Sequence, residues 1–111
     1  MDQELRKEIV DLKNHDKRRY DSLASNFYIM KASLRYFSVK KSLSFTSSDV
    51  SDNFPVNASV AGSCLKALDE LNVLQPRGSR PRYMPEKVDL NRLKEIENIL
   101  KEEHEIEGFY R

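Results

Sequence analysis

Residues 46–85 read TSSDVSDNFPVNASVAGSCLKALDELNVLQPRGSRPRYMP, and this stretch decides the fold. Thr46 stands three residues before Asp49, the spacing at which a hydroxyl and an acid reciprocally close the first turn of a helix. A short helix over about residues 47–53 follows, with Val50 and Phe54 as its apolar contacts. Pro55 stops it, because its ring and missing N–H block a further turn. Asn57 offers a second cap. From Ala58 to Asn72, residues Ala61, Cys64, Leu65, Leu68 and Leu71 recur at helical spacing and mark one face of a longer helix. Asn72 falls where the chain leaves that helix, and asparagine tolerates the left-handed conformation used there. Val73-Leu74 is a β-prone pair, and Arg82-Tyr83-Met84 a returning strand. Pro76, Gly78 and Pro81 shape the turn between them. A proline cannot donate to a ladder, so the pairing is short and edge-like.

Upstream, Leu23, Phe27, Met30, Leu34 and Phe37 step by four, three, four and three, the clearest amphipathic pattern in the chain. Residues 22–41 read as a helix at the centre of the core, capped by Asp21 or Ser22 or running on from the segment before it. Residues 2–20 read as a helix of mixed charge with one narrow stripe, Leu5, Ile9 and Leu12. Asp2, Glu4 and Glu8 lie near its start and Lys17, Arg18 and Arg19 near its end, the order that suits the helix dipole. Residues 42–45 are a polar–apolar connector. Downstream, Asp89 caps a last helix over about residues 90–105, with Leu90, Leu93, Ile96, Ile99 and Leu100 on its apolar side. Glu102, Glu103, Glu105 and Glu107 crowd its end, against the dipole preference.

Short helix, tight turn, longer helix is the helix-turn-helix arrangement. Ser44 to Lys87 resembles the second half of a winged helix-turn-helix domain. The resemblance rests on the hydroxyl-capped short helix, the Ala/Leu spacing of the next, and Leu68-Asp69-Glu70-Leu71-Asn72-Val73-Leu74, with Asn72 where glycine is usual. It implies a mainly α fold with a small β-hairpin, in which residues 22–88 form the winged-helix domain. Residues 1–21 and 89–111 are then flanking helices. It further implies a small transcriptional regulator of archaeal, viral or bacterial type that binds double-stranded DNA. The stretch is also similar to a small winged-helix ribosomal protein of archaea and eukaryotes, although that family opens with a lysine-rich tail that this chain lacks. The alternative function is therefore a winged-helix protein- or RNA-interaction module in a larger nucleoprotein complex.

Composition narrows the classes. The 111 residues, 39% hydrophobic and 33% charged, suit one domain with a small core, burying roughly 65% of the unfolded surface. The net charge of +1 excludes a polybasic protein, but the even total hides segregation. Residues 21–48 and 73–87 are each net +3, and residues 49–72 and 88–111 each net −3. A lone cysteine, Cys64, excludes an internal disulfide and a cysteine-based zinc site. No apolar run is long enough to span a membrane, and the opening residues lack the apolar run of a secretory signal. The reading is a soluble, cytoplasmic protein. The three glycines form neither a phosphate loop nor a Rossmann turn. No cofactor, metal or small-molecule substrate is expected. His15 and His104 lie far apart in polar surroundings, and Cys64 sits on a core face, so the chain reads as a non-enzyme.

The candidate DNA-binding residues fall in two groups. Ser59, Gly62, Ser63 and Lys66 share the outer face of the helix starting at Ala58, where small side chains allow close approach to base edges and phosphates. Asn57 caps that helix, and Ser47 and Ser48 open the one before it, where free N–H groups favour a phosphate. Arg77, Arg80 and Arg82 ring the Gly/Pro-shaped turn, which suits phosphate or minor-groove contact. Lys40 and Lys41 are flanking phosphate candidates. The outer stripes, Leu5, Ile9 and Leu12 at one end and Leu93, Ile96 and Leu100 at the other, are expected to pair across a two-fold axis in a homodimer, the alternative being that each folds back on the chain's own core.

Overall fold

The computed structural model describes residues 3–40, 44–77 and 82–102. They form a mainly α-helical domain. The helices are α1 (Gln3–His15), α2 (Lys17–Ser25), α3 (Phe27–Lys40), α4 (Ser47–Asn53), α5 (Ala58–Glu70) and α6 (Leu90–Glu102). Strands β1 (Pro76–Arg77) and β2 (Arg82–Tyr83) and a 3₁₀ turn at Pro85–Lys87 lie between α5 and α6.

The first forty residues hold three helices rather than two, and the breaks fall at Asp16 and Asn26 instead of near residue 21. Asp16 leaves helical geometry (φ −147°, ψ 68°), and its side chain caps α2 by accepting from the Arg19 N–H. Asn26 interrupts at φ −120°, its side-chain amide donating to the Ser22 carbonyl at 2.9 Å. The backbone hydrogen bonds nevertheless run on, Asp16 N to Leu12 O and Met30 N to Asn26 O. Each break is therefore a local bend that keeps Leu23, Phe27, Met30, Leu34 and Phe37 buried on one side.

The caps around α4 and α5 follow the sequence. The Thr46 hydroxyl accepts from the Asp49 N–H while the Asp49 carboxylate accepts from the Thr46 N–H, closing both ends of the capping box. Asn57 Oδ1 accepts from the Val60 N–H at 2.8 Å. At the far end of α5, Asn72 sits at φ 64°, and the Val73 N–H reaches back to the Leu68 carbonyl at 2.9 Å. That is a left-handed helix stop with asparagine in the usual glycine place.

The β-prone pair Val73-Leu74 is not a strand. Both residues are buried, and the Val73 carbonyl accepts from the Asp89 N–H at 2.9 Å, so this backbone stops α5 and anchors the start of α6 instead. Antiparallel pairing starts at Pro76, with Pro76 opposite Tyr83 and Arg77 opposite Arg82. The connector before α4 joins it. Phe45 and Tyr83 exchange both backbone hydrogen bonds at 2.9 Å, a bridge that sequence spacing does not announce. Their rings extend the link inward, Phe37 stacking on Phe45 at 4.8 Å and Phe45 meeting Tyr83 at 5.9 Å.

One hydrophobic core draws residues from all six helices, and it includes the two outer stripes. Leu5, Ile9, Leu12, Leu93, Ile96 and Leu100 are each at most 5% exposed within the single chain. Of the two arrangements open to these stripes, the single chain shows the one in which they fold back on its own core. Ion pairs from Arg92 to Glu8, at 2.9 Å, and from Arg6 to Glu102 fasten α6 along α1. Leu90 departs from its expected place on the apolar side of α6, standing 41% exposed because it opens the helix at the rim of the core.

Candidate functional site

Four of the residues singled out from sequence meet in one cleft: Ser47, Gly62, Ser63 and Lys66. It has a volume of about 280 Å³, and Arg19, Leu65 and Tyr83 complete its lining. Four elements build it. The capping box sets the direction of α4 and leaves Ser47, its first residue, half-buried at the cleft edge. The apolar face of α5 (Ala61, Cys64, Leu65, Ala67, Leu68) is pinned in the core, which turns Gly62, Ser63 and Lys66 outward. Tyr83 is held by its bridge to Phe45, and Arg19 comes from α2.

Gly62 faces Ser47 across the crossing of α4 and α5. A Cβ built there would lie 3.8 Å from the Ser47 Cβ, an ordinary van der Waals contact, so the crossing has room for one more carbon and does not require glycine. Ser59, one turn before Ser63, is exposed, as are Asn57 and Ser48, and none of these three lines the cleft. Asn57 Oδ1 is committed to capping α5. Arg82 is exposed next to Tyr83 and donates to the Ser44 hydroxyl at 3.0 Å. Arg80, Lys41, His104 and the side chain of Arg77 lie outside the described residues.

Charge on this face is mixed. Arg19 is held by Asp16, at 3.4 Å, and by Glu70, and His15 Nε2 lies 3.6 Å from Glu70. Lys66 forms no ion pair among the described residues, but its charge acts on Asp69. Burial pushes the Asp69 carboxyl above its ordinary value, and Lys66 partly opposes that. Burial also raises the Tyr83 hydroxyl, with the Asp69 charge adding to it. Among the described residues, the cations here outside an ion pair are thus Lys66 on α5 and Arg82 on β2, against a partly buried acid one helical turn beyond Lys66.

Sequence reasoning found Ser47, Gly62, Ser63 and Lys66 and missed Arg19 and Tyr83. Arg19 reads as the basic end of a helix, and only the packing of α2 on α5 brings it here. Tyr83 carried a usable signal, a single aromatic between Arg82 and Met84 on a short strand, where alternation turns it inward.

Burial pushes the Cys64 thiol up to about 12, and its Sγ donates to the Ser22 carbonyl at 3.3 Å. It therefore packs as a small apolar group rather than a nucleophile. Among the described residues, no three His, Cys, Asp or Glu side chains are placed to hold a metal ion. Among them too, no helix is long and apolar enough to cross a membrane. Comparison with protein-family models, curated proteins and solved structures yields no match.

Proposed function

We propose that the chain binds double-stranded DNA as a winged helix-turn-helix protein and regulates transcription. In this reading α4 and α5 are the helix-turn-helix, α5 enters the major groove, and the β1–β2 ribbon is the wing that follows the phosphate backbone. The supporting observation is the single cleft shared by α4, α5 and β2, with Ser63 and Lys66 on its wall and Arg82 exposed beside it. Serine offers a donor and an acceptor to bases or phosphates, and Lys66 supplies a point charge to a phosphate. The outer face of α5 carries no Arg, Asn or Gln beyond its cap, which leaves Lys66 as its one long side chain for base edges. Affinity then rests chiefly on backbone contacts and DNA shape.

The test is a gel shift on short duplexes with Ser59→Glu and Ser63→Glu, each variant checked by thermal melting. Surface substitutions cost less than about 0.5 kcal/mol of stability, so both variants should melt like the parent chain. Both should lose duplex binding, because a carboxylate on this face repels phosphates. Negligible DNA affinity of the parent chain itself, at low salt, rejects the proposal in favour of a protein- or RNA-interaction module.

A further inference from the structure

A second cleft, of about 340 Å³, opens between α3 and α6 and shares no lining residue with the first. It is lined by Lys31, Arg35, Leu90, Leu93 and Lys94. Helical spacing explains the gathering. Tyr28, Lys31 and Arg35 step by three and four along one edge of α3, and Leu90, Lys94, Glu97 and Lys101 step by four, three and four along the edge of α6.

Glu97 organises the cations. It is 3% exposed, and its Oε1 accepts from Lys31 Nζ at 2.7 Å, with Lys94 Nζ 3.6 Å from the same oxygen. Lys101 Nζ lies 3.7 Å from Oε2, and the Tyr28 hydroxyl also bonds the carboxylate. One buried carboxylate thus holds several ammonium groups in place without neutralising them. Arg35, on the exposed surface of α3, forms no hydrogen bond or ion pair among the described residues. Asp89, the residue before Leu90, is committed to capping α6 through the Arg92 N–H at 2.9 Å. Beneath these cations lie Leu93, which is buried, and Leu90, one of the few large apolar side chains left in solvent.

Cations in excess of their one shared carboxylate, with Arg35 beside them, above an apolar floor match a ligand with an anionic head and an apolar body. The volume lies at the small end of the range for ligand pockets, roughly 300–1,000 Å³. We propose that the α3–α6 cleft binds a small amphipathic organic anion, its carboxylate, sulfonate or phosphate group held by Arg35 and Lys94 and its apolar part seated on Leu90 and Leu93.

The probe is 8-anilinonaphthalene-1-sulfonate, which joins a fused apolar ring system to one sulfonate. Titrated into the folded full chain at low salt, it should bind saturably at one site and be displaced by octanoate. Arg35→Ala and Lys94→Ala should each weaken it by about tenfold to a hundredfold, the effect of removing one charge-assisted hydrogen bond. Lys7→Ala, on exposed α1 surface, should leave it unchanged. Near-ultraviolet dichroism on every variant verifies that fluorescence does not come from a loosened core. Non-saturating binding, or affinity unmoved by both cleft substitutions, overturns the site. Displacement of the probe by duplex DNA overturns it as well, since the cleft would then belong to the DNA face.

Discussion

At the residue scale, Glu97 carries the sharpest consequence. Burial alone would raise its carboxyl, but the hydrogen bond and charge of Lys31, with Lys94 and Tyr28 behind them, outweigh burial and hold it below the ordinary value. Its folded pKa lies below its unfolded one. The carboxylate therefore stabilises the fold fully above the ordinary glutamate value of about 4.3, and that contribution is lost as pH falls through the lower folded value. Glu97→Gln should then destabilise the chain by about 1–3 kcal/mol at pH 7, because it leaves the partly buried Lys31 ammonium without its carboxylate. The gap to the parent chain should close as pH drops from about 5 toward 3. Urea melts at pH 7, 5 and 3 measure it, and a gap that holds constant would show that the ionisation of Glu97 does not contribute. The sequence does not mark this glutamate, because its burial comes from a partner 66 residues away. Asn72 is the opposite case. Its left-handed φ of 64° was legible, since the stop it makes depends only on the residues beside it.

At the element scale, what could be read is what local chemistry fixes. The α4 capping box, the Asn57 cap, the core face of α5 and the Asp89 cap are each set by side chains at short helical spacings, so the pattern alone reveals them. The bends at Asp16 and Asn26 escape because the apolar period runs straight through them. The Phe45–Tyr83 bridge escapes because it joins residues on either side of the helix pair. The outer stripes were legible as apolar but not as to what covers them, which depends on how α1 and α6 pack. That packing makes a prediction. Leu93→Ala and Ile9→Ala should each cost about 2–5 kcal/mol, the usual loss for emptying a buried aliphatic site. The melting midpoint of the parent chain and of both variants should be independent of protein concentration, because one chain covers both stripes. A midpoint that climbs with concentration would mean that association contributes to their burial.

At the scale of the whole molecule, a nearly neutral chain keeps its charges apart. The stretch over residues 73–87 is net +3 and contains the ribbon, while residues 49–72, with α5 and most of α4, are net −3. If α5 enters a DNA groove as proposed, a helix in an acidic stretch needs phosphate attraction from elsewhere, and the ribbon is one basic element that can supply it. The candidate site was accordingly half legible: the small residues of α5 and the arginines showed in the sequence, whereas the acids beside them matter only through the packing that half-buries Asp69 and ties Glu70 to Arg19. Replacing Arg77, Arg80 and Arg82 together with Ala separates the two contributions. The melt should hardly change, since Arg82 is exposed and gives up only its bond to Ser44. Duplex affinity should fall, and the slope of log K against log salt should flatten by up to about 0.9 for each phosphate the ribbon no longer neutralises. If the slope instead matches that of the parent chain while the fold is intact, the ribbon makes no phosphate contact. DNA binding would then have to come from Lys66 and the serines of α5 against the field of their own acidic neighbours, which at about 0.15 M salt is felt over roughly 8 Å.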